Sequence, residues 1–106
     1  MLFLQACDQQ DYNPKEFQLV AQQANVFMVY VTGAMAKGRS KNVFASQDLC
    51  DKKGMVECEV YSWKERAKVP QGLPLTNDHL PFYGHYTRDK FGRETFSCNG
   101  CYDKKE

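Results

Sequence analysis

The sequence contains five cysteines, and their spacing is its first feature with chemical potential. Cys7 stands alone, Cys50 and Cys58 are separated by seven residues, and Cys98 and Cys101 form a C-x-x-C pair. In an oxidising compartment the last four would form two disulfides. Links between the two pairs would close larger loops than links within them, and would stabilise more. We predict that all four are disulfide-bonded. Three connectivities are possible, and this argument favours the two that join one pair to the other over bonds within each pair.

In a reducing compartment the same four cysteines could instead hold a zinc ion. A structural zinc site commonly adds a second C-x-x-C or two closely spaced histidines, whereas His79 and His85 are isolated. The sequence therefore favours disulfides and predicts no metal site and no cofactor. A cytoplasmic, zinc-stabilised adaptor protein that uses these four cysteines is the alternative.

The two histidines also raise the question of catalysis, because Asp78 precedes His79 and Tyr86 follows His85. Nucleophilic catalysis needs a histidine, an acid and a nucleophile that converge in space, which sequence spacing does not indicate. Histidines of a proline-rich segment are usually surface groups. We predict no catalytic residues and therefore no enzyme, with a small enzyme that uses His79 or His85 as a minor alternative.

The stretch Leu4-Gln5-Ala6-Cys7 resembles the lipobox of bacterial lipoproteins. The resemblance implies cleavage before Cys7 and lipidation of its thiol, with residues 8–11 as a polar tether. A secretory signal also needs a basic start and a longer apolar run, so translation would have to begin upstream of Met1. We predict a tether or signal remnant over residues 1–12 and a single globular domain over 13–106. An ordinary apolar N-terminus is the alternative.

Composition limits the classes of partner. Hydrophobic residues make up 42% of the chain and charged residues 25%, with a net charge of +1, as in a folded globular domain. The chain has no long run of like charges, so we predict neither a nucleic-acid partner nor a basic membrane patch. Any membrane contact would come through a lipid on Cys7.

The strongest periodicity begins at Asn13-Pro14, a favoured helix start. Apolar residues then recur at helical spacing and predict one long helix over residues 14–37, with a shorter helix followed by a strand as the alternative. We expect the residues that form the core face of this helix to be the most buried of the first half: Phe17, Val20, Phe27, Met28 and Val31.

The remaining elements are shorter. A basic loop is predicted over residues 38–42, a short helix over 46–50 and a half-buried strand over 56–60. Residues 85–87 and 94–96 predict a C-terminal β-hairpin with Gly92 in its turn. The predicted fold class is α+β: one long N-terminal helix packed on a small, irregular, disulfide-stapled part with this hairpin.

Residues 69–86 are rich in proline and in apolar side chains, and include Leu80 and the pair Phe82-Tyr83. Prolines lower the ordering cost of a loop, and aromatic anchors supply much of the energy at protein interfaces. We predict that Leu80, Phe82, Tyr83 and Trp63 contact a partner. The alternative is that these residues only cover a small core.

Residues 27–34, with the sequence FMVYVTGA, resemble a helical segment of the small disulfide-bonded Tai and Rap immunity proteins, which neutralise type VI amidase toxins. The short likeness illustrates a class of protein and identifies no family. Together these features predict a small, non-catalytic binding or inhibitory protein of the periplasm, free or anchored through Cys7. Its partner would be another protein: a toxin, an enzyme or an envelope component.

Overall fold

The computed structural model describes residues 14–71 and 82–99, which form a five-stranded mixed sheet with one short α-helix. The strands lie in chain order, and all neighbours are antiparallel except β2 and β3, which are parallel because the helix returns the chain between them. The elements are β1 Phe17–Gln23, β2 Val26–Val31, α1 Arg39–Lys52, β3 Cys58–Trp63, β4 Gly84–Arg88 and β5 Glu94–Cys98, with 3-10 turns at Pro14–Glu16, Gly33–Ala36 and Arg66–Lys68.

The predicted helix over residues 14–37 is wrong, and so is the α+β fold class that depends on it. The segment forms the antiparallel hairpin of β1 and β2. A bulge between Leu19 and Ala21 shifts the strand alternation, so the apolar residues of β1 fall at helical spacing. β2 is apolar throughout because Met28 is buried on one face of the sheet and Val29 on the other. A strand buried on both faces has the same apolar run as a buried helix.

A two-residue turn, Ala24-Asn25, joins the two strands. Ala24 has a φ of +56°, in the left-handed region that alanine rarely adopts. Asn25 holds the turn against the start of β3: its side-chain amide donates to the Glu57 carbonyl, and its carbonyl accepts from the Glu59 amide. The turn therefore depends on a contact from a distant part of the chain.

The α-helix α1 spans Arg39–Lys52, where the sequence predicts a loop, 38–42, and a short helix, 46–50. Its buried stripe is largely polar or small: Asn42, Ala45, Ser46 and Cys50. The Asn42 amide donates to the carbonyls of Met35 and Gly38, which gives this buried polar group its partners. The short helix predicted over 46–50 lies within α1, but the loop predicted over 38–42 is wrong, because a stripe of this composition carries little apolar periodicity to reveal the first turns of the helix.

The sheet has a hydrophobic cluster on each face. On the face covered by α1, the cluster includes Phe27, Val29, Val60 and Tyr86, and on the opposite face Met28, Trp63 and Val69 form a second cluster. Most of the residues predicted as the core face of the helix are buried, but they divide between the two faces. Phe17, Phe27, Met28 and Val31 are buried, and Val20 is partly buried.

A disulfide joins Cys50 at the end of α1 to Cys58 at the start of β3. The predicted disulfide chemistry is confirmed for this pair, but the predicted linkage from one pair to the other is wrong. Only a short segment separates the end of the helix from the start of the strand. The Cα atoms of the two cysteines therefore lie 6.1 Å apart in the fold. Cys98 is also disulfide-bonded. Cys101 and Cys7 lie outside the described residues.

The predicted C-terminal hairpin is confirmed by the antiparallel pairing of β4 and β5. Gly92 adopts a φ of +85° in its turn, a conformation that favours glycine. The strand predicted over 56–60 corresponds in part to β3. Among the described residues, no helix has the length and apolar character needed to cross a membrane. The predicted tether, residues 1–12, lies outside the described part of the chain.

Candidate functional site

A cleft opens where β3 ends and β4 begins, and we call it the β3–β4 cleft. Three of the four residues predicted to contact a partner line this cleft. The fourth, Leu80, lies outside the described residues. The chain reaches this cleft from three separate segments, two of them immediately after a strand and one just before β4. The cleft is lined by Trp63, Lys64, Glu65, Lys68, Phe82, Tyr83 and Asn99.

Backbone hydrogen bonds from two strands fix the pair Phe82-Tyr83 at the cleft. The Tyr83 amide donates to the Ser62 carbonyl over 2.7 Å, and the Asn99 amide donates to the Tyr83 carbonyl over 2.8 Å. The Asn99 side chain donates to the Phe82 carbonyl over 2.9 Å. As a result the two aromatic side chains lie on opposite faces of the sheet. Phe82 packs against the cluster of Met28, Trp63 and Val69, and Tyr83 belongs to the cluster covered by α1.

The ring of Phe82 is supported by other rings. Tyr61 and His85 are directly paired between β3 and β4, and their rings stack with centroids 4.1 Å apart and planes 6° apart. The Phe82 ring meets both edge-on, at centroid distances of 5.1 Å from Tyr61 and 5.7 Å from His85. It also lies 6.3 Å from the Trp63 ring. Aromatic pairs favour these geometries, so Phe82 is held in place while remaining half-buried.

His85, the candidate for the minor catalytic alternative, is engaged by this cluster. Its Nε2 lies 3.0 Å from Oε1 of Glu59, and one face of its ring is covered by Tyr61. Burial raises the pKa of the Tyr61 hydroxyl, and the charge and hydrogen bond of Glu59 raise it further. The His85 ring thus forms part of the aromatic wall that supports Phe82. His79 lies outside the described residues.

Tyr83 forms the inner wall of the cleft, only 4% exposed. Burial raises the pKa of its hydroxyl, which has no hydrogen-bond partner within the described part of the chain. The Lys64 ammonium lies 5.1 Å from the centroid of the Tyr83 ring. At the rim, the Lys68 ammonium lies 3.9 Å from the Glu65 carboxylate. The rim thus carries two ammonium groups and one carboxylate around an aromatic interior.

The predicted contact residues have different roles. Trp63, at 1% exposed, and Tyr83 have almost no free surface and act as walls, whereas Phe82 offers part of its ring. The sequence analysis missed Lys64, Lys68 and Asn99. The two lysines follow Trp63 in a visibly charged segment, which is a local signal, but Asn99 reaches the cleft only through the pairing of β4 with β5.

The cleft offers aromatic rings for stacking and apolar contact, and charged groups at its rim. Within residues 14–71 and 82–99, no three potential metal-ligating side chains converge. The disulfide occupies the sulfurs of Cys50 and Cys58, which therefore cannot act as thiolate ligands in this state. Comparisons of the chain with protein-family models, with curated proteins and with solved structures find no match.

Proposed function

We propose that this chain is a non-catalytic protein-binding domain of an oxidising compartment, the periplasm, and that it acts as an inhibitory or immunity-type protein. Its β3–β4 cleft receives an apolar side chain of a partner protein, a toxin, an enzyme or an envelope component. The observation that carries the proposal is an aromatic cleft in which Phe82, braced by neighbouring rings, is only partly buried, with the exposed lysines Lys64 and Lys68 at its rim.

Pre-formed aromatic anchors are well suited to this task. A partner that inserts between Phe82 and the rim would not have to order the ring, because Tyr61 and His85 already support it. Energetically dominant residues at interfaces are most often aromatic, surrounded by polar groups that exclude water. Lys64 and Lys68 would favour a partner segment that carries an acidic residue beside its apolar one.

The compartment is proposed on the disulfide chemistry. Disulfides form and persist in secreted and periplasmic proteins and are rare in the cytoplasm of most cells. The bond between Cys50 and Cys58 supports the periplasmic location over the zinc-stabilised adaptor, because it uses two of the four thiols that the adaptor would need. Anchoring through Cys7 stays a prediction.

The test is site-specific photo-crosslinking in the native cells, followed by affinity measurement with the purified partner. A photoreactive phenylalanine analogue replaces Phe82 in one variant and Phe44, an exposed ring on α1, in the control. We expect one protein to be linked from position 82 and not from position 44. Binding of that protein should then weaken at least tenfold in Phe82→Ala and be unchanged in Phe44→Ala.

Two results would contradict the proposal. One is equal crosslinking from both positions, which indicates non-specific contact. The other is unchanged affinity in Phe82→Ala while its thermal unfolding matches that of the wild type. Because Phe82→Ala also removes ring contacts inside the cluster, Lys64→Glu provides a second variant: it alters the exposed rim and should weaken binding without changing the core.

A further inference from the structure

We propose that the tip of the β4–β5 hairpin, residues 89–93, is a second interaction element. It inserts the ring of Phe91 into an apolar pocket flanked by carboxylates on a partner protein. Phe91 is 72% exposed, more than any other large apolar side chain in the described part of the chain. The tip and the β3–β4 cleft share no residues, so the two proposals fail or succeed separately.

The surroundings of the ring indicate the charge of the partner. The Lys90 ammonium lies 5.5 Å from the centroid of the Phe91 ring, and the Arg93 guanidinium lies 5.3 Å from it. A cation near a ring face is attracted by the ring, so both charges stay beside Phe91. When the ring enters a pocket, the two cations come with it. Carboxylates at the mouth of that pocket would pair with Lys90, and with the guanidinium N–H groups of Arg93 other than the Nε–H that bonds to Asp89.

The turn is ordered before any partner binds. The Asp89 carboxylate accepts hydrogen bonds from the backbone amides of Phe91, at 2.8 Å, and Arg93, at 3.0 Å. The Arg93 guanidinium donates to the same carboxylate over 3.0 Å. The Gly92 amide donates to the Asp89 carbonyl over 2.9 Å. A side chain presented by a pre-ordered turn loses less conformational freedom on binding, which raises affinity.

A second exposed apolar residue belongs to the same end of the molecule. Val56 is 60% exposed, and its carbonyl accepts a hydrogen bond from Nε of Arg88, over 2.8 Å. Arg88 also donates to the Met55 carbonyl and, over 3.0 Å, to the Asp51 carboxylate. These hydrogen bonds join the loop before β3 to strand β4 of the hairpin. Val56 and the turn at residues 89–93 therefore belong to one continuous surface.

The surface fits a protein better than an anionic membrane. The groove between the loop and the hairpin is lined by Val56 and Gly92 but also by the carboxylates of Asp51 and Glu94. Asp51 is paired with Arg88, which also lines the groove, so the groove keeps a net charge of −1 and an anionic bilayer is not attracted to these carboxylates. A protein can place hydrogen-bond donors opposite them while its own carboxylates meet Lys90 and Arg93.

The test pans a phage library of random 12-residue peptides against the full-length oxidised protein, with synthetic copies of the enriched peptides used for affinity measurements. We expect enriched peptides to combine acidic and apolar residues. Peptides that bind the tip should lose at least tenfold in affinity in Phe91→Ala and in Lys90→Glu, and should bind Phe44→Ala and Phe82→Ala as they bind the wild type. Peptides that bind the β3–β4 cleft should instead be weakened by Phe82→Ala alone. Phe91→Ala should unfold at the wild-type temperature because the ring is so exposed.

Other outcomes would overturn the proposal. One is that every enriched acidic peptide binds Phe91→Ala as tightly as the wild type, or that no acidic peptide is enriched. Another is that vesicles with 30% phosphatidylglycerol bind the wild type and release Phe91→Ala, since the tip would then be a membrane-insertion element. Peptides that still bind Phe91→Ala are also measured against Phe82→Ala. If they bind that variant more weakly, their binding is assigned to the β3–β4 cleft.

Discussion

Removal of the disulfide between Cys50 and Cys58 has an effect whose size follows from the structure. The two cysteines are 8 residues apart in sequence. In the chain-entropy treatment, breaking a link across a loop of this size lowers the free energy of unfolding by about 2.5 kcal/mol. A link from Cys50 or Cys58 to Cys98 or Cys101 would close a loop of roughly 40–50 residues and contribute about 4 kcal/mol, and replacing both Cys50 and Cys58 would break two such links. The size of the effect therefore distinguishes the observed pairing from the one that the sequence predicted.

The assay is urea unfolding of the double variant Cys50→Ala/Cys58→Ala beside the oxidised wild type. Because a domain of this size has a denaturant slope of roughly 1–3 kcal/mol per M urea, the midpoint should fall by about 0.8–2.5 M. Chemical reduction of the wild type would not measure this bond alone. Cys98 is also disulfide-bonded, and its bond would be broken at the same time. The double variant isolates the bond between α1 and β3.

Peptide mapping provides an independent check on the pairing. Trypsin should release residues 42–52 and 54–64 as one disulfide-linked species without reductant, and as two peptides after reduction. An unchanged urea midpoint in the double variant would refute the argument that the loop contributes to stability. Recovery of residues 42–52 linked to the peptide that contains Cys98 would refute the pairing itself.

Two further predictions concern stability. Ala24→Gly should raise the free energy of unfolding by about 0.5–1 kcal/mol, because the relief of left-handed strain, about 1–2 kcal/mol, outweighs the extra unfolded-state entropy that glycine loses on folding, about 0.4–1 kcal/mol. Chemical denaturation measures this change, and a loss of stability would show that the turn tolerates alanine well. Tyr83→Phe should stabilise the domain by about 1 kcal/mol, because it removes a buried hydroxyl that has no partner among the described residues. Its control is Tyr86→Phe, which should cost about 1.5–3 kcal/mol because the Tyr86 hydroxyl donates to the Glu94 carboxylate over 2.5 Å. Equal effects of the two substitutions would contradict the assignment.

The C-terminal hairpin shows what local sequence can predict. Its strands alternate between inward and outward side chains, and Gly92 supplies the positive φ that the turn needs. All of this lies within fifteen residues of chain. The chemistry of Cys50 and Cys58 was predicted in the same way, although their pairing was not, because loop-size arguments rank stabilities and do not say which sulfurs the fold brings together.

The β1–β2 hairpin shows the opposite case. Its apolar residues were identified, but their periodicity was misassigned, because the bulge in β1 and the double-sided burial of β2 both imitate a helix. The turn between the strands, Ala24-Asn25, lacks a strong turn signal and is held by contacts to residues that precede and begin β3. Those contacts are separated from the turn by more than thirty residues of sequence.

For the candidate site, the sequence by itself determined which side chains have anchoring chemistry: Trp63, Phe82 and Tyr83 are large aromatic groups wherever they lie. Only the tertiary structure decided that they share one cleft, that Phe82 keeps exposed surface, and that Asn99 fixes it there. The physical reason is the pairing of β3 with β4 and of β4 with β5, which joins distant segments edge to edge. Side-chain identity is a property of one position, whereas convergence is a property of strand register, and register is set by the packing of the whole sheet.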